Sequence, residues 1–152
     1  MRVILIGPRW EGGWTEDCLS ALERLGHSVT LAYSNEPPSA LGRFARRLRL
    51  AIGWRLPGSQ RFLERTRGAA YQLADGLNRN LLATLSGSPA DLLLVLKGEW
   101  LFPETLAALK RSTGATLAAW WMDSPFEFSQ TPAVLDNVRR ALPLFDHFFI
   151  FD

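Results

Sequence analysis

Two short polar segments hold the charged side chains that are best placed for chemistry, because each follows an apolar run. Lys97-Gly98-Glu99 comes directly after residues 91–96, and Asp123-Ser124 comes directly after Trp120-Trp121-Met122. An isolated charge is costly to bury, so a charged side chain at such a point has a partner or faces a cleft. Lys97 and Asp123 therefore form a structural ion pair between neighbouring strand ends, or they line a ligand-binding cleft. The two interpretations are compatible.

A glycine-rich segment after the first apolar run is the second candidate. It begins at Gly7 and includes Gly12 and Gly13, just before a predicted helix. Glycine lets the backbone approach a ligand closely, and the free N–H groups at a helix start attract an anion. The spacing differs from G-x-G-x-x-G, so dinucleotide binding is not favoured. A tight strand-to-helix turn without a ligand explains the same residues.

Five apolar runs separated by helical patterns predict the fold. The predicted strands are residues 3–6, 28–33, 91–96, 115–122 and 147–151. They are apolar almost throughout, which is typical of strands covered on both faces. We therefore expect an α/β protein, a Rossmann-like three-layer sandwich with a parallel sheet of about five strands, and a single domain over residues 1–152. In such a sheet, ligands bind beyond the carboxyl ends of the strands, where both candidate segments lie.

Local signals also predict helix ends and side-chain directions. The expected boundaries are an N-cap at Thr15, ends at Gly26 and Gly114, and first helical residues at Pro103 and Pro132. Trp120 and Trp121 are adjacent in a predicted strand, so they must point to opposite faces of the sheet. At least one of the two is expected in the core.

Residues 38–60 are predicted to form an arginine-rich helical insertion. Residues 40–67 contain eight arginines and one acid, Glu64. On a helical wheel, an apolar stripe within residues 41–56 opposes four arginines, namely Arg43, Arg46, Arg47 and Arg49. Such a helix suits an anionic membrane surface, an acidic acceptor or a partner protein, but a helix packed on the sheet with its charges in water explains the same pattern. Nucleic acid is not an expected partner, because no basic–aromatic motif of an RNA or DNA module is present.

The order and spacing of these motifs resemble the N-terminal half of CgeB-like glycosyltransferases, which are similar to group 1 glycosyltransferases with the two-domain GT-B architecture. The segments that carry the resemblance are Val3–Gly7, Ala21–Val29, Leu92–Gly98, Pro103–Leu106, Trp120–Phe126 and Phe145–Asp152. The resemblance covers most of the chain except residues 34–60. One departure is that the family often has two acids where this chain has Asp123-Ser124, which bears on any role that needs both carboxylates.

The resemblance implies that this domain forms the acceptor side of a cleft between two domains. Gly12 and Gly13 would approach the transferred sugar or its diphosphate, and Asp123 would deprotonate the acceptor hydroxyl. The expected cleft lining is Lys97, Gly98, Glu99 and Ser124. A C-terminal domain of the same protein would hold the nucleotide-sugar donor without a metal, and this chain alone would not transfer sugar. The alternative is a Rossmann-like module that binds a partner or a membrane surface through its basic helix, without chemistry.

Composition limits the class of protein. Hydrophobic residues make up 47% and charged residues 21% of the 152 residues, which is typical of a globular domain. No apolar run approaches the roughly 20 residues of a membrane-spanning helix. Cys18 is the single cysteine, so the chain can form no internal disulfide. These features favour a cytoplasmic protein, which would lie at the inner membrane surface if the arginine-rich helix binds lipid. His27 and His147 are expected to be packing or surface residues.

Overall fold

The computed structural model describes residues 1–9, 13–35, 74–122, 124 and 132–150, with the backbone alone for residues 132–134. Strands and helices alternate along these residues. In chain order they are β1 (Arg2–Gly7), α1 (Trp14–Arg24), β2 (Ser28–Tyr33), α2 (residues 74–85), β3 (Leu92–Leu96), α3 (Pro103–Thr113), β4 (Thr116–Trp121), α4 (Pro132–Ala141), a 3₁₀ turn (Leu142–Leu144) and β5 (His147–Ile150). The five predicted strands are confirmed. The predicted insertion at residues 38–60 lies outside the described residues.

The five strands form one sheet in the order β2-β1-β3-β4-β5, and every neighbouring pair is parallel. The fold is therefore α/β and Rossmann-like, as the apolar runs predict. From β1 the chain passes to β2 on one side, whereas β3, β4 and β5 follow on the other side. The strand order thus reverses between β1 and β3. The carboxyl ends of these two strands flank the position where ligands bind in doubly wound sheets.

The first face of the sheet carries the main hydrophobic core. Ile4, Ile6, Leu93 and Val95 project from β1 and β3 into a cluster of buried side chains. Three helices supply the other side of this cluster, chiefly through Leu77, Leu81 and Leu85 of α2, Leu106 and Leu109 of α3, and Ala141 of α4. Each fully buried leucine stabilises the fold by about 1.5–3 kcal/mol relative to an exposed one. The apolar runs of the sequence thus correspond to strands whose side chains are buried in the core.

The second face is covered by α1 and, among the helices that the structure describes, by no other. Trp14 of α1 contacts Trp120 of β4 edge to face, with ring centroids 6.2 Å apart. Trp120 is nevertheless 41% exposed, while its neighbour Trp121 is buried on the first face. This pair confirms that adjacent tryptophans in the strand point to opposite faces and that one of them lies in the core.

Most of the predicted helix ends are confirmed. Pro103 is the first residue of α3 and Gly114 ends it with a φ of 70°, and Pro132 is the first residue of α4. The N-cap prediction at Thr15 is wrong, because α1 begins at Trp14 and Gly13 is its N-cap residue. Thr15 instead lies in the first helical turn, where its buried Oγ1 donates a hydrogen bond to the Pro8 carbonyl oxygen at 2.7 Å.

Candidate functional site

The loop of residues 97–102, called here the β3 loop, lies at the carboxyl edge of the sheet beside the reversal of strand order. Its backbone is tightly turned: the Glu99 N–H donates to the Lys97 carbonyl oxygen at 2.9 Å, and the Leu101 N–H donates to that of Gly98 at 3.1 Å. Lys97 has a φ of 50°, the one positive φ among the described non-glycine residues. A left-handed backbone costs an ordinary residue about 1–2 kcal/mol. The loop therefore holds Lys97 in a strained conformation.

Gly98 is required by close packing rather than by its φ. A Cβ added at Gly98 would lie 2.7 Å from Cγ1 of Val95, well inside the normal contact distance. Val95 is fully buried and belongs to the core, so it has little room to move. The backbone of the β3 loop thus lies directly against the core, which limits how far the loop can shift.

Two buried asparagines, one on α2 and one on α4, bind the backbone of the β3 loop. Asn78 of α2 donates to the Trp100 carbonyl oxygen at 2.8 Å and accepts from the Phe102 N–H at 2.8 Å. Asn137 of α4 donates to the carbonyl oxygens of Leu101 at 2.7 Å and Glu99 at 3.2 Å. The Oδ1 atom of Asn137 is buried and accepts no hydrogen bond. Four consecutive residues, 99–102, are therefore fixed by side chains of two different helices.

The charged side chains of the β3 loop are largely withdrawn from water. Lys97 and Glu99 are 19% and 16% exposed, and the Lys97 Nζ lies 3.8 Å from Oε1 of Glu99. This separation is an ion pair but too long for a hydrogen bond. The ion pair therefore places both charges, mostly buried, at the carboxyl edge of the sheet.

The neighbouring segment after β1 approaches the sheet equally closely. A Cβ at Gly7 would lie 2.6 Å from Oγ1 of Thr15, so glycine lets the start of α1 pack against the end of β1. Gly13 is buried and has an extended backbone, and as the N-cap residue it has no side chain that could cap the helix that follows it. The N–H groups of the first turn give this helix start a partial positive charge. Glu16 in the first turn offsets part of this charge.

Arg9 and Tyr33 complete the edge at β1 and β2. Asn35 accepts from the Arg9 N–H at 2.9 Å and donates to the Arg9 carbonyl oxygen at 3.2 Å, so its side-chain amide pairs with the backbone as a strand would. The Arg9 guanidinium lies 5.1 Å from the centroid of the Tyr33 ring. The Tyr33 hydroxyl donates in turn to Oε1 of Glu16 at 3.2 Å. A second cation thus stands at the same edge of the sheet as Lys97.

Not all of the residues predicted for the site can be placed. Lys97, Gly98 and Glu99 lie together in the β3 loop, Gly13 is the N-cap residue of α1, and Ser124 follows β4. Outside the described residues are Gly12, Asp123, Arg43, Arg46, Arg47 and Arg49. The sequence analysis missed Asn78, Asn137, Arg9 and Asn35. Asn78 and Asn137 each occupy a position of their helix where the periodic pattern expects an apolar residue. That single irregularity is the sequence signal that could have identified them.

Comparison of the chain with protein-family models, curated proteins and solved structures found no match. Within the described ranges, no helix has the length and apolarity needed to cross a membrane. The same part of the chain brings together no group of three or more His, Cys, Asp or Glu side chains suited to a metal ion. The geometry of the carboxyl edge is therefore the basis for a functional proposal.

Proposed function

We propose that this chain is the acceptor-side domain of a two-domain glycosyltransferase of the GT-B type, which moves a sugar from a nucleotide-sugar to an acceptor hydroxyl. One observation carries the proposal. A strained loop, bonded by Asn78 and Asn137, places Lys97 and Glu99 at the reversal of strand order, where β1, the strand before α1, is the neighbouring strand. Doubly wound sheets bind ligands there. The resemblance of the sequence motifs to CgeB-like enzymes supplies the class of reaction.

In the proposed reaction, the acceptor hydroxyl oxygen forms a bond to the anomeric carbon of the donor sugar. The bond from that carbon to the diphosphate oxygen breaks, and its electron pair leaves with the diphosphate. Asp123 is the candidate base that takes the hydroxyl proton. Lys97 and the N–H groups after Gly13 stabilise the negative charge that develops on the leaving diphosphate. Glu99 orients Lys97 and, together with Ser124, binds sugar hydroxyls.

In the proposed enzyme, a second α/β domain binds the nucleotide of the donor. The test therefore uses the longest natural polypeptide that contains this chain, incubated with UDP- and GDP-sugars. The chain has two lysines, which provide a matched pair of variants. We expect Lys97→Met to lower kcat/KM for sugar transfer about 100-fold or more, as the loss of one charge-stabilising donor does. Lys110→Met removes a lysine from the opposite edge and should leave kcat/KM within about threefold.

Several outcomes would refute the assignment. Sugar transfer that is equally fast in the Lys97→Met and Lys110→Met proteins would exclude Lys97 from the site. Nucleotide-sugar binding without turnover, measured as an increase in Tm, would favour the non-catalytic module instead. An equally large increase in Tm for the 152-residue chain alone would show that the donor does not depend on a second domain.

A further inference from the structure

Asn137 of α4 is a buried residue that uses its hydrogen-bonding groups unequally. It is 1% exposed, and its Nδ2 donates to the carbonyl oxygens of Leu101 at 2.7 Å and Glu99 at 3.2 Å. Its Oδ1 is buried and accepts no hydrogen bond from the described residues. The reverse orientation of the amide would bring Oδ1 against the two carbonyl oxygens, which are acceptors as well. The amide donors therefore bind the β3 loop while the amide oxygen stays unsatisfied.

The other asparagine of the β3 loop shows that a loop can be bonded without such a defect. Asn78 of α2 is 2% exposed, and its Nδ2 donates to the carbonyl oxygens of Ala74 and Trp100 at 2.7 and 2.8 Å. Its Oδ1 accepts from the Phe102 N–H at 2.8 Å. Both polar atoms of this side chain are bonded, so stability alone explains it. A buried acceptor without a partner lowers stability, and such departures are expected at functional sites.

Asn137 is also the one of these two asparagines that hydrogen-bonds to a charged residue of the loop. The Glu99 carbonyl oxygen accepts from Asn137, and the Glu99 N–H donates to the Lys97 carbonyl oxygen at 2.9 Å. The backbone of Glu99 is thus held on both sides. Its side chain is 16% exposed, and its Oε1 lies 3.8 Å from the Lys97 Nζ. The bonds of Asn78 reach uncharged residues instead.

We infer that Asn137 is a positioning residue of the proposed site, which holds Glu99 so that its carboxylate stays beside the Lys97 ammonium. Asn137 is itself buried, so it acts through these two residues and not on the substrate. The inference rests on the proposed function for the reaction that Lys97 serves, in which the lysine stabilises the leaving diphosphate. A positioning role predicts that loss of the Asn137 amide affects this reaction more than it affects the stability of the fold.

Asn137→Leu tests this role, because leucine has a similar shape but neither the amide donors nor the unsatisfied oxygen. Asp136→Ala is the matched control, since Asp136 is the preceding residue of α4 and is exposed. In the longest natural polypeptide that contains this chain, Asn137→Leu should lower kcat/KM for sugar transfer at least about tenfold, as small misplacements of an active-site group do. Asp136→Ala should leave kcat/KM within about twofold, because surface substitutions away from a site have small effects. Urea denaturation checks folding, and Asn137→Ala replaces the leucine variant if that variant does not fold.

Two further measurements separate positioning from a general structural role. In a Glu99→Gln background the carboxylate is already absent, so Asn137→Leu should lower kcat/KM by no more than about twofold, because residues that act through one another are not additive. Acetylation of Lys97, measured by mass spectrometry against Lys110 in the same polypeptide, needs no transfer activity. Lys97 is 19% exposed in the native loop. Asn137→Leu should raise the ratio of Lys97 to Lys110 acetylation at least about threefold, because labelling of a mostly buried group follows local opening, and Asp136→Ala should not change it.

The outcomes distinguish this inference from the proposed function. If Lys97→Met lowers sugar transfer but Asn137→Leu does not, the inference is wrong and the proposed function stands. An equal loss from Asn137→Leu with and without Glu99→Gln also overturns the inference, because the asparagine would then act elsewhere. If the wild type transfers no sugar, the proposed function is wrong and the acetylation ratio decides alone. A ratio that Asn137→Leu leaves unchanged overturns the positioning of Lys97 and Glu99 by Asn137, and the expected increase supports it.

Discussion

The two edges of the sheet use charged residues in opposite ways. At the amino edge, Asp91 and Asp146 precede β3 and β5, and each joins its strand to a neighbour. Asp91 accepts from the Arg2 backbone N–H at 2.7 Å and pairs with the Arg2 guanidinium, and Asp146 accepts from the Leu117 N–H at 2.9 Å and pairs with Lys110. At the carboxyl edge, the Lys97 and Glu99 side chains pair with each other, are mostly buried and belong to a strained loop.

This difference separates stability from function. The amino-edge carboxylates are partly exposed and well bonded, so they cost little to desolvate and stabilise strand pairing. At the carboxyl edge, the backbone of Lys97 has a left-handed conformation, and the Lys97 and Glu99 side chains are mostly buried. The buried Oδ1 atom of Asn137 also accepts no hydrogen bond there. Strain of this kind persists only where the surrounding structure enforces it, and it concentrates at functional sites. The carboxyl edge is therefore the better candidate for ligand binding.

The largest effect that we expect on stability comes from removing the clamp of the β3 loop. Asn78→Ala leaves the Trp100 carbonyl and the Phe102 N–H without their partner, which should lower the free energy of unfolding by about 1–3 kcal/mol. Asn137→Ala should cost less, because it also removes the buried oxygen that has no hydrogen bond. Urea denaturation measures both changes.

Asn80 provides the control for this prediction. It lies on the same helix as Asn78 but is exposed, so Asn80→Ala should change the free energy of unfolding by no more than about 0.5 kcal/mol. Equal losses for Asn78→Ala and Asn80→Ala would show that the clamp is not what holds the loop. The β3 loop would then be no more firmly held than an ordinary surface loop.

A smaller effect distinguishes the backbones of the two edges. At Lys97, glycine tolerates the positive φ and valine does not, so Lys97→Gly should be more stable than Lys97→Val by about 1–2 kcal/mol. At Thr116, an exposed strand residue of the amino edge, the order should reverse, with Thr116→Val more stable than Thr116→Gly by about 1 kcal/mol. Urea denaturation of these four variants measures the free energies of unfolding that are compared. The same order at both positions would contradict the strained backbone of Lys97.

The sequence predicts the sheet well because the relevant signal is local. Each strand is a continuous apolar run, and burial on both faces is what such a run needs. Lys97-Gly98-Glu99 is correctly expected at a strand end, since the run that precedes it ends at Leu96. The left-handed φ of Lys97 is not predictable in this way. The loop that contains Lys97 is bonded by α2 and α4 at Trp100 and Leu101, and these contacts are distant in sequence.

The missed residues share one cause. Asn78 and Asn137 contact backbone atoms more than 20 residues away, and Asn35 pairs with Arg9 across the gap between β2 and β1. No periodicity encodes such contacts. The error at Thr15 is of the same kind. Threonine is a good N-cap residue, but here its hydroxyl bonds the Pro8 carbonyl and its side chain packs beside Gly7, and the helix begins two residues earlier than predicted.

The smallest effect should appear at the amino edge, in the pH dependence of stability. The hydrogen bond from Lys110 lowers the pKa of the Asp146 carboxyl, and the Leu117 N–H lowers it further. A carboxyl whose native pKa is lowered stabilises the fold above its unfolded pKa of about 4, and this contribution is lost as the pH falls through the native pKa. The urea midpoints of the wild type and Asp146→Asn should therefore differ by a constant amount from about pH 5 to pH 8. They should converge below about pH 4.

Lys110→Met tests the cause of this convergence, because it removes the donor and keeps most of the side-chain stem. It should weaken the pH dependence of the wild type, and adding Asp146→Asn to it should have little further effect on that dependence. A midpoint difference that persists unchanged to about pH 3 would mean that the pKa of Asp146 is not what stabilises this edge. Because neither residue lies at the carboxyl edge, both variants should retain the proposed sugar transfer in the longer polypeptide. An amino-edge variant that abolished transfer without unfolding the protein would contradict the division of the sheet into a stabilising edge and a functional one.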